Sequence, residues 1–308
     1  MRILITPRSM TAAGLENLRE LDPLRERGHE LVSGPAGRLP TEEELLELVP
    51  GVDAWLAGVE VISARVLARA PRLRVISRNG VGADAVDVAA AEKHGVLVAL
   101  ARGANSRGVA ELAILLALAA LRGLPEANAT MKSGRWQRSM GREMPDITLG
   151  IVGFGAIGRC VARLGGALGA TLIAHDAYAD VEPDSGATSA TLGELFARAD
   201  VISLHSPPLA GGTPLVTAEL LATTKRGAVL VNTARSALVD HDAVLAALES
   251  GHISAYAVDA FDSEPPALTP LLLHPRVILT PHLGGFTDAS TRRATELAVS
   301  NLIAALPA

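Results

Sequence analysis

The sequence predicts an α/β protein of two doubly wound parallel sheets, and three observations carry the prediction. Short apolar runs alternate with helical patterns through residues 1–101, as parallel strands covered by helices require. The stretch TLGIVGFGAIGRCVARLGGALGATLIAHD, Thr148 to Asp176, sets a strand run, the glycines Gly153, Gly155 and Gly158, an apolar helix and a second strand in the order of a dinucleotide-binding turn. From Leu149 onward six strand-like runs recur with helical patterns between them, which matches a six-stranded doubly wound sheet.

In chain order, strands are predicted over 2–6, 30–33, 52–56, 73–77 and 96–100, and one of the connecting helices is opened by a capping box at Thr41 with Glu44. A long helix, apolar on nearly every side, is predicted from Ser106 to about Arg122. An irregular polar stretch follows, Met131 to Asp146, in which Trp136 reads as a packing or subunit-contact anchor. The second set of strands is placed at 150–153, 172–176, 201–205, 228–233, 255–260 and 277–280, with helix caps at Thr191 (with Glu194), Thr217 and Asp240. After Pro281 a last helix, 291–305, could return to the first sheet. The domains are therefore drawn as 1–101 plus 283–308, and 102–282.

Composition narrows the function. The 308 residues are 49% hydrophobic, enough for two sizeable cores. A net charge of −5 gives no support to a nucleic-acid partner or an anionic membrane surface. The single cysteine, Cys160, excludes an intrachain disulfide, fits a reducing compartment and reads as a small buried residue. The N-terminal apolar run, Ile3 to Ile5, is too short for a signal peptide, and the longest apolar run, Leu112 to Leu121, is too short to span a bilayer. A soluble, cytoplasmic protein is expected.

Within the glycine turn, Gly153 permits the tight bend, Gly155 lets backbone approach a pyrophosphate, and Gly158 lets helix and strand pack closely. Amides of Gly155, Ala156, Ile157 and Gly158 at the helix start would meet the phosphates. Asp176, eighteen residues after Gly158, would accept from the adenosine ribose hydroxyls. A carboxylate there repels a 2′-phosphate, so NAD is expected over NADP. Ligands of such sheets sit outside the carboxyl ends of the strands, where three residues stand out: Arg235 after VLVNTA, Glu264 after AVDAFDS and His282 after VILTP. A nicotinamide enzyme acting on a hydroxy acid needs a cation for the carboxylate, an acid/base for the alcohol proton and a group that orients that base. Arginine, histidine and glutamate supply these in turn.

The ordered segments resemble the D-isomer-specific 2-hydroxyacid dehydrogenases along essentially the whole chain. They are Asn79-Gly80-Val81-Gly82, Gly103-Ala104-Asn105-Ser106, the glycine turn with Asp176, Leu204-His205-Ser206-Pro207, Val231-Asn232-Thr233-Ala234-Arg235, Ala257-Val258-Asp259-Ala260-Phe261 with Glu264-Pro265, and Thr280-Pro281-His282-Leu283-Gly284-Gly285. The resemblance implies a flavodoxin-like substrate domain and a Rossmann domain with a cleft between them. It implies Arg235 on the substrate carboxylate, His282 as acid/base supported by Glu264, and Asp259 on the nicotinamide carboxamide. Ser106, His205, Pro207 and Thr233 become further cofactor contacts, and the amides of Val81 and Gly82 substrate contacts. No metal is expected, and a homodimer formed through the nucleotide domain is. Ser236 follows Arg235 where the family usually has glycine, which leaves that backbone less free. The chain ends soon after the last helix, so no C-terminal regulatory domain is expected.

For the substrate, Arg78 before Asn79-Gly80 matches an arginine that contacts phosphate in the D-3-phosphoglycerate dehydrogenase branch, while a second such arginine falls at or near Ala57. D-3-phosphoglycerate is therefore expected first. The alternatives are hydroxypyruvate or glyoxylate reduction, reduction of another 2-keto acid, an unusual oxyanion such as phosphite, or an NAD-binding corepressor-like sensor without turnover.

Overall fold

Two parallel sheets organise the computed structural model, which describes residues 1–209 and 211–307. The chain divides into two compact units, Met1–Asn105 with Asp288–Ala308, and Ser106–Thr287. The cuts placed from sequence, at 101/102 and 282/283, lie a few residues before these.

In the first unit, β1 (Arg2–Ile5), β2 (Glu30–Ser33), β3 (Ala54–Ala57), β4 (Val75–Arg78) and β5 (Leu97–Leu100) form a sheet in the order β2-β1-β3-β4-β5. The strand pleat sends alternate residues to opposite faces. Ile3 and Ile5 join Leu56 and Val75 in the core beneath Ala298, Val299 and Leu302 of the helix Asp288–Ala305. Leu4 joins Trp55, Ile76, Leu45, Val66 and Ala91 in the core on the other face. The last helix is also hydrogen-bonded into this unit. Ser77 Oγ donates to Ala298 O at 2.8 Å, and Asn301 Nδ2 to Leu100 O at 3.2 Å. These contacts make the first unit discontinuous in sequence.

The second unit holds β6 (Thr148–Val152), β7 (Thr171–His175), β8 (Thr188–Ser189), β9 (Val201–Leu204), β10 (Ala228–Asn232), β11 (Ile253–Val258) and β12 (Val277–Leu279), in the order β12-β11-β10-β9-β6-β7-β8. This sheet has one strand more than expected. β8 is two exposed polar residues at the edge, so no apolar run announces it. The helix Ser106–Leu121 packs Ala110, Ala113, Ile114 and Ala117 into the same core as Val161 and Cys160 of the helix Ala156–Ala167 and Ile151, Val231 and Ala257 of the sheet. Its burial on several faces explains its all-round apolarity.

A helix at Leu124–Lys132 overlaps the start of the stretch read as irregular from sequence. Its mean apolarity is low and Leu124 and Met131 are exposed, so no apolar stripe marks it. Both predicted capping boxes form. Glu44 N and Glu194 N each donate to the cap threonine, whose own N–H is accepted by the glutamate carboxylate, worth about 1 kcal/mol at each helix. Among the described residues no single helix is long and apolar enough to cross a membrane.

Candidate active site

The carboxyl ends of β6 and β9 meet where the strand order reverses, and the glycine turn sits there. Gly153 has a φ of 90°, which a side chain would resist, and a Cβ on it would lie 2.6 Å from the backbone of His205 and Ser206. A Cβ on Gly158 would lie 2.1 Å from Gly153 O, so helix Ala156–Ala167 and the turn touch backbone to backbone. Gly155, the residue before that helix, differs from both. Nothing lies within 4 Å of the Cβ position, and no side chain caps the helix start. The open space beside the uncapped amides of Ala156 and Ile157 is the cradle a pyrophosphate needs.

Asp176, just past β7, holds this turn. Its Oδ2 accepts from Phe154 N at 2.6 Å, and its Oδ1 from Tyr178 N at 2.8 Å and Ala179 N at 3.1 Å. Burial alone would raise its pKa, but those three amides outweigh it and hold the carboxyl below the usual aspartate range. Three of about four lone-pair sites are thereby used. Further along the same edge, His205 Nδ1, Ser206 Oγ and Thr233 Oγ1 are buried with no hydrogen-bond partner. Buried polar atoms are rarely left so, and their row after β9 and β10 fits a polar ligand lying across these strand ends. Burial pushes His205 down to about 3, so it stays neutral while its Nε2 pairs with Ser203 Oγ at 2.8 Å. Ser106 is buried at the first position of its helix, and Pro207 is exposed in the loop after His205.

The structure brings His282 and Glu264 together across eighteen residues: His282 Nδ1 lies 2.6 Å from Glu264 Oε1. Both side chains are about half exposed, at 52% and 44%. His282 is the one non-glycine residue with a positive φ, 52°, among the described residues. That conformation costs roughly 1–2 kcal/mol for an L-residue and persists only when neighbours impose it. Asp259, 1% exposed at the end of β11, is the neighbour that does so. Its Oδ1 accepts from Thr280 Oγ1 at 2.6 Å and Leu283 N at 2.7 Å, and its Oδ2 from Gly284 N at 2.8 Å. One carboxylate thus grips both sides of the turn that carries the histidine.

Asn232 does the same for Arg235. It is fully buried at the end of β10, with Nδ2 donating to Arg235 O at 2.8 Å and Oδ1 accepting from Ala234 N at 3.1 Å. Arg235 is half-buried, and its Nη1 donates to Ala234 O at 2.8 Å. Ser236 has no positive φ and begins a 3₁₀ turn, Ser236–Leu238, with its hydroxyl 3.0 Å from His241 Nε2. The backbone after Arg235 therefore has no need of a glycine.

In the first unit, Arg78 closes β4 and is 5% exposed; its Nε donates to Gly82 O at 3.2 Å while Nη1 has no partner. The amides of Val81 and Gly82 donate to nothing among the described residues. Sequence reasoning passed over Glu60, a 2% exposed carboxylate on the loop after β3, at the same edge of the sheet. A glutamate following four fully buried strand residues was the available signal.

The family model for the D-isomer specific 2-hydroxyacid dehydrogenase NAD-binding domain matches residues 114–284. A D-3-phosphoglycerate dehydrogenase of Mycobacterium bovis is 42% identical over 85% of this chain and 51% of its own length. The chain spans about half the length of the curated relatives it matches. A solved structure of a Thermus thermophilus protein superposes with a TM-score of 0.87 at 36% identity, covering 99% of this chain and 96% of that one. A glyoxylate reductase of Paecilomyes thermophila gives 0.86 at 29% identity, covering 99% and 95%.

Proposed function

Because the chain belongs to the D-isomer-specific 2-hydroxyacid dehydrogenases, a family that binds NAD, we propose that it moves a hydride between NAD and C2 of a small D-2-hydroxy acid. D-3-phosphoglycerate, the substrate in the names of the curated relatives, is the first candidate. The observation that carries this reading is the Glu264–His282 pair on a turn clamped by Asp259, with Arg235 braced on the neighbouring strand end.

Bound NAD supplies the hydride acceptor in one direction and the donor in the other. The chain's residues do the rest. The planar Arg235 guanidinium takes the substrate carboxylate in two parallel hydrogen bonds. With Nδ1–H donating to Glu264, Nε2 of His282 keeps its lone pair and removes the alcohol proton as the carbonyl forms; in reduction it returns the proton. Glu264 holds the ring in the orientation and tautomer this needs. Asp259 retains one free lone-pair site, enough for a single donor from the carboxamide. The free amides of Val81 and Gly82, and Arg78, are read as further substrate contacts. Arg235→Ala is expected to lower kcat/KM for the keto acid by on the order of 10²–10³ while the NADH Kd stays within about twofold, as steady-state kinetics and fluorescence titration would show. Equal losses in both would contradict the assignment.

Asp176 supports the preference for NAD. Asp176→Ala is expected to narrow the ratio of NADPH to NADH Kd by about tenfold or more, and to lower Tm because three backbone amides lose their acceptor. A ratio unchanged in the variant would remove Asp176 from cofactor choice.

Reduction of an unphosphorylated keto acid such as glyoxylate or hydroxypyruvate is the second reading, favoured by the buried acid Glu60 at the edge where Arg78 sits. The chain is also read as a cytoplasmic homodimer. Trp136 and Met140, 79% and 100% exposed, and Met131 offer an apolar contact surface in the nucleotide-binding unit.

A further inference from the structure

The carboxyl edge of the five-stranded sheet buries a charge that neither the fold nor the chemistry above uses. Glu60 Oε1 accepts from the Thr6 hydroxyl and from Gly58 N, the latter at 3.0 Å. Thr6 Oγ1 in turn accepts from Nε1 of the fully buried Trp55 at 2.8 Å. Glu60 Oε2 is buried with no hydrogen-bond partner. A Cβ on Gly58 would lie 2.7 Å from that oxygen, so the glycine is what allows the carboxylate to fold back over the strand end.

A glutamine would serve Thr6 and Gly58 equally well through its amide oxygen and would avoid the cost of a buried anion, which is several kcal/mol unless a cation compensates. The negative charge therefore serves something other than these hydrogen bonds. Arg78 is the cation it acts on. β3 and β4 pair with Ala57 opposite Arg78, and Asn79 N donates to Ala57 O at 2.8 Å, so the loop carrying Glu60 leaves the sheet beside Arg78. Burial pulls the Arg78 guanidinium below its ordinary range, and the negative charges of Glu60, first, and of Asp84 work against that pull. Arg78 Nη1, like Glu60 Oε2, has no hydrogen-bond partner.

We propose that Glu60 is a specificity-determining residue that offsets the charge of Arg78 and so weakens this edge's preference for a phosphorylated substrate over the same molecule without phosphate. The proposal rests on the reading that Arg78 meets the substrate's distal group. A phosphate dianion approaching Arg78 meets a guanidinium whose field Glu60 partly offsets and a carboxylate that repels it; an uncharged hydroxyl meets neither penalty. Glu60 touches no substrate atom in this account and acts through Arg78.

The test is the Glu60→Gln variant with two keto acids that differ only by the phosphate, 3-phosphohydroxypyruvate and hydroxypyruvate. The expected result is a rise of about tenfold or more in the ratio of their kcat/KM values, phosphorylated over unphosphorylated. A structural role alone would lower both together and leave the ratio in place, which would overturn the proposal. Should wild-type protein reduce no keto acid, the function proposed above fails. Calorimetric titration of the NADH-loaded protein with inorganic phosphate then decides on Glu60 by itself. Tighter binding to Glu60→Gln upholds its role, and equal binding overturns it. Glu60→Ala removes the same charge if the glutamine variant does not fold, and failure of both to fold would make Glu60 a structural residue and overturn the proposal.

Discussion

His282→Ala is expected to lower kcat by about 10²–10⁴ and to leave NADH affinity within about twofold, because under the proposed assignment it removes the proton acceptor without touching the glycine turn. The geometry makes the expectation specific. The imidazole is held at one nitrogen by Glu264, 2.6 Å away, and its backbone is forced to a φ of 52° by the grip of Asp259 on Thr280, Leu283 and Gly284. Alanine at a positive φ carries the same strain as histidine, so a fall in activity without loss of Tm reports the lost imidazole and not a collapsed turn. Glu264→Gln should show a smaller fall, since the amide oxygen can still accept from Nδ1 and keep the ring oriented. A His282→Ala protein with near-normal kcat would end the acid/base assignment.

Gly158→Ala should lose stability and cofactor binding together. The added Cβ would sit 2.1 Å from Gly153 O and 3.2 Å from Ile151 Cγ2. The first of these is backbone in a turn already fixed by Asp176 and by the Arg159 Nη1 bond to Phe154 O, so no flexible side chain can give way. Overpacking of this kind costs about 1–3 kcal/mol or more, and the turn that moves is the one that would hold the pyrophosphate. Tm should drop by several degrees and NADH affinity by about tenfold or more. Gly155→Ala gives the contrast. Its Cβ position is empty and its φ of −72° suits alanine, so Tm should hold while NADH binding falls as the methyl fills the cradle. Unchanged NADH affinity in both variants would move the phosphate site elsewhere.

What was legible in the sequence follows from range. β6 with its glycines, the capping boxes at Thr41 and Thr191, and the buried runs of β3, β9 and β10 are local patterns, and each formed where expected to within a few residues. Arg235, Glu264 and His282 could be picked out because a parallel sheet puts its strand ends along one edge, and the family resemblance gave each a role. β8 was hidden because two exposed polar residues make no hydrophobic pattern. The grip of Asp259 on the His282 turn spans more than twenty residues, and the Thr6–Glu60 contact spans 54. Only the strand order β1-β3-β4 brings Thr6, Glu60 and Arg78 to one place, and no spacing rule reads that order directly. Asp176 and Asn232 were visible as motif residues, but their hold on neighbouring turns is a matter of angles that the sequence does not display.

If this chain reduces a 2-keto acid with NADH, as proposed, the fall in NADH absorbance reports it. Purified protein, NADH and a panel holding 3-phosphohydroxypyruvate, hydroxypyruvate and glyoxylate should show steady oxidation with at least one member, yielding the D-hydroxy acid, and His282→Ala should abolish nearly all of it. Tight NADH binding with no oxidation by any member would contradict the account and point to a protein that senses NADH without using it.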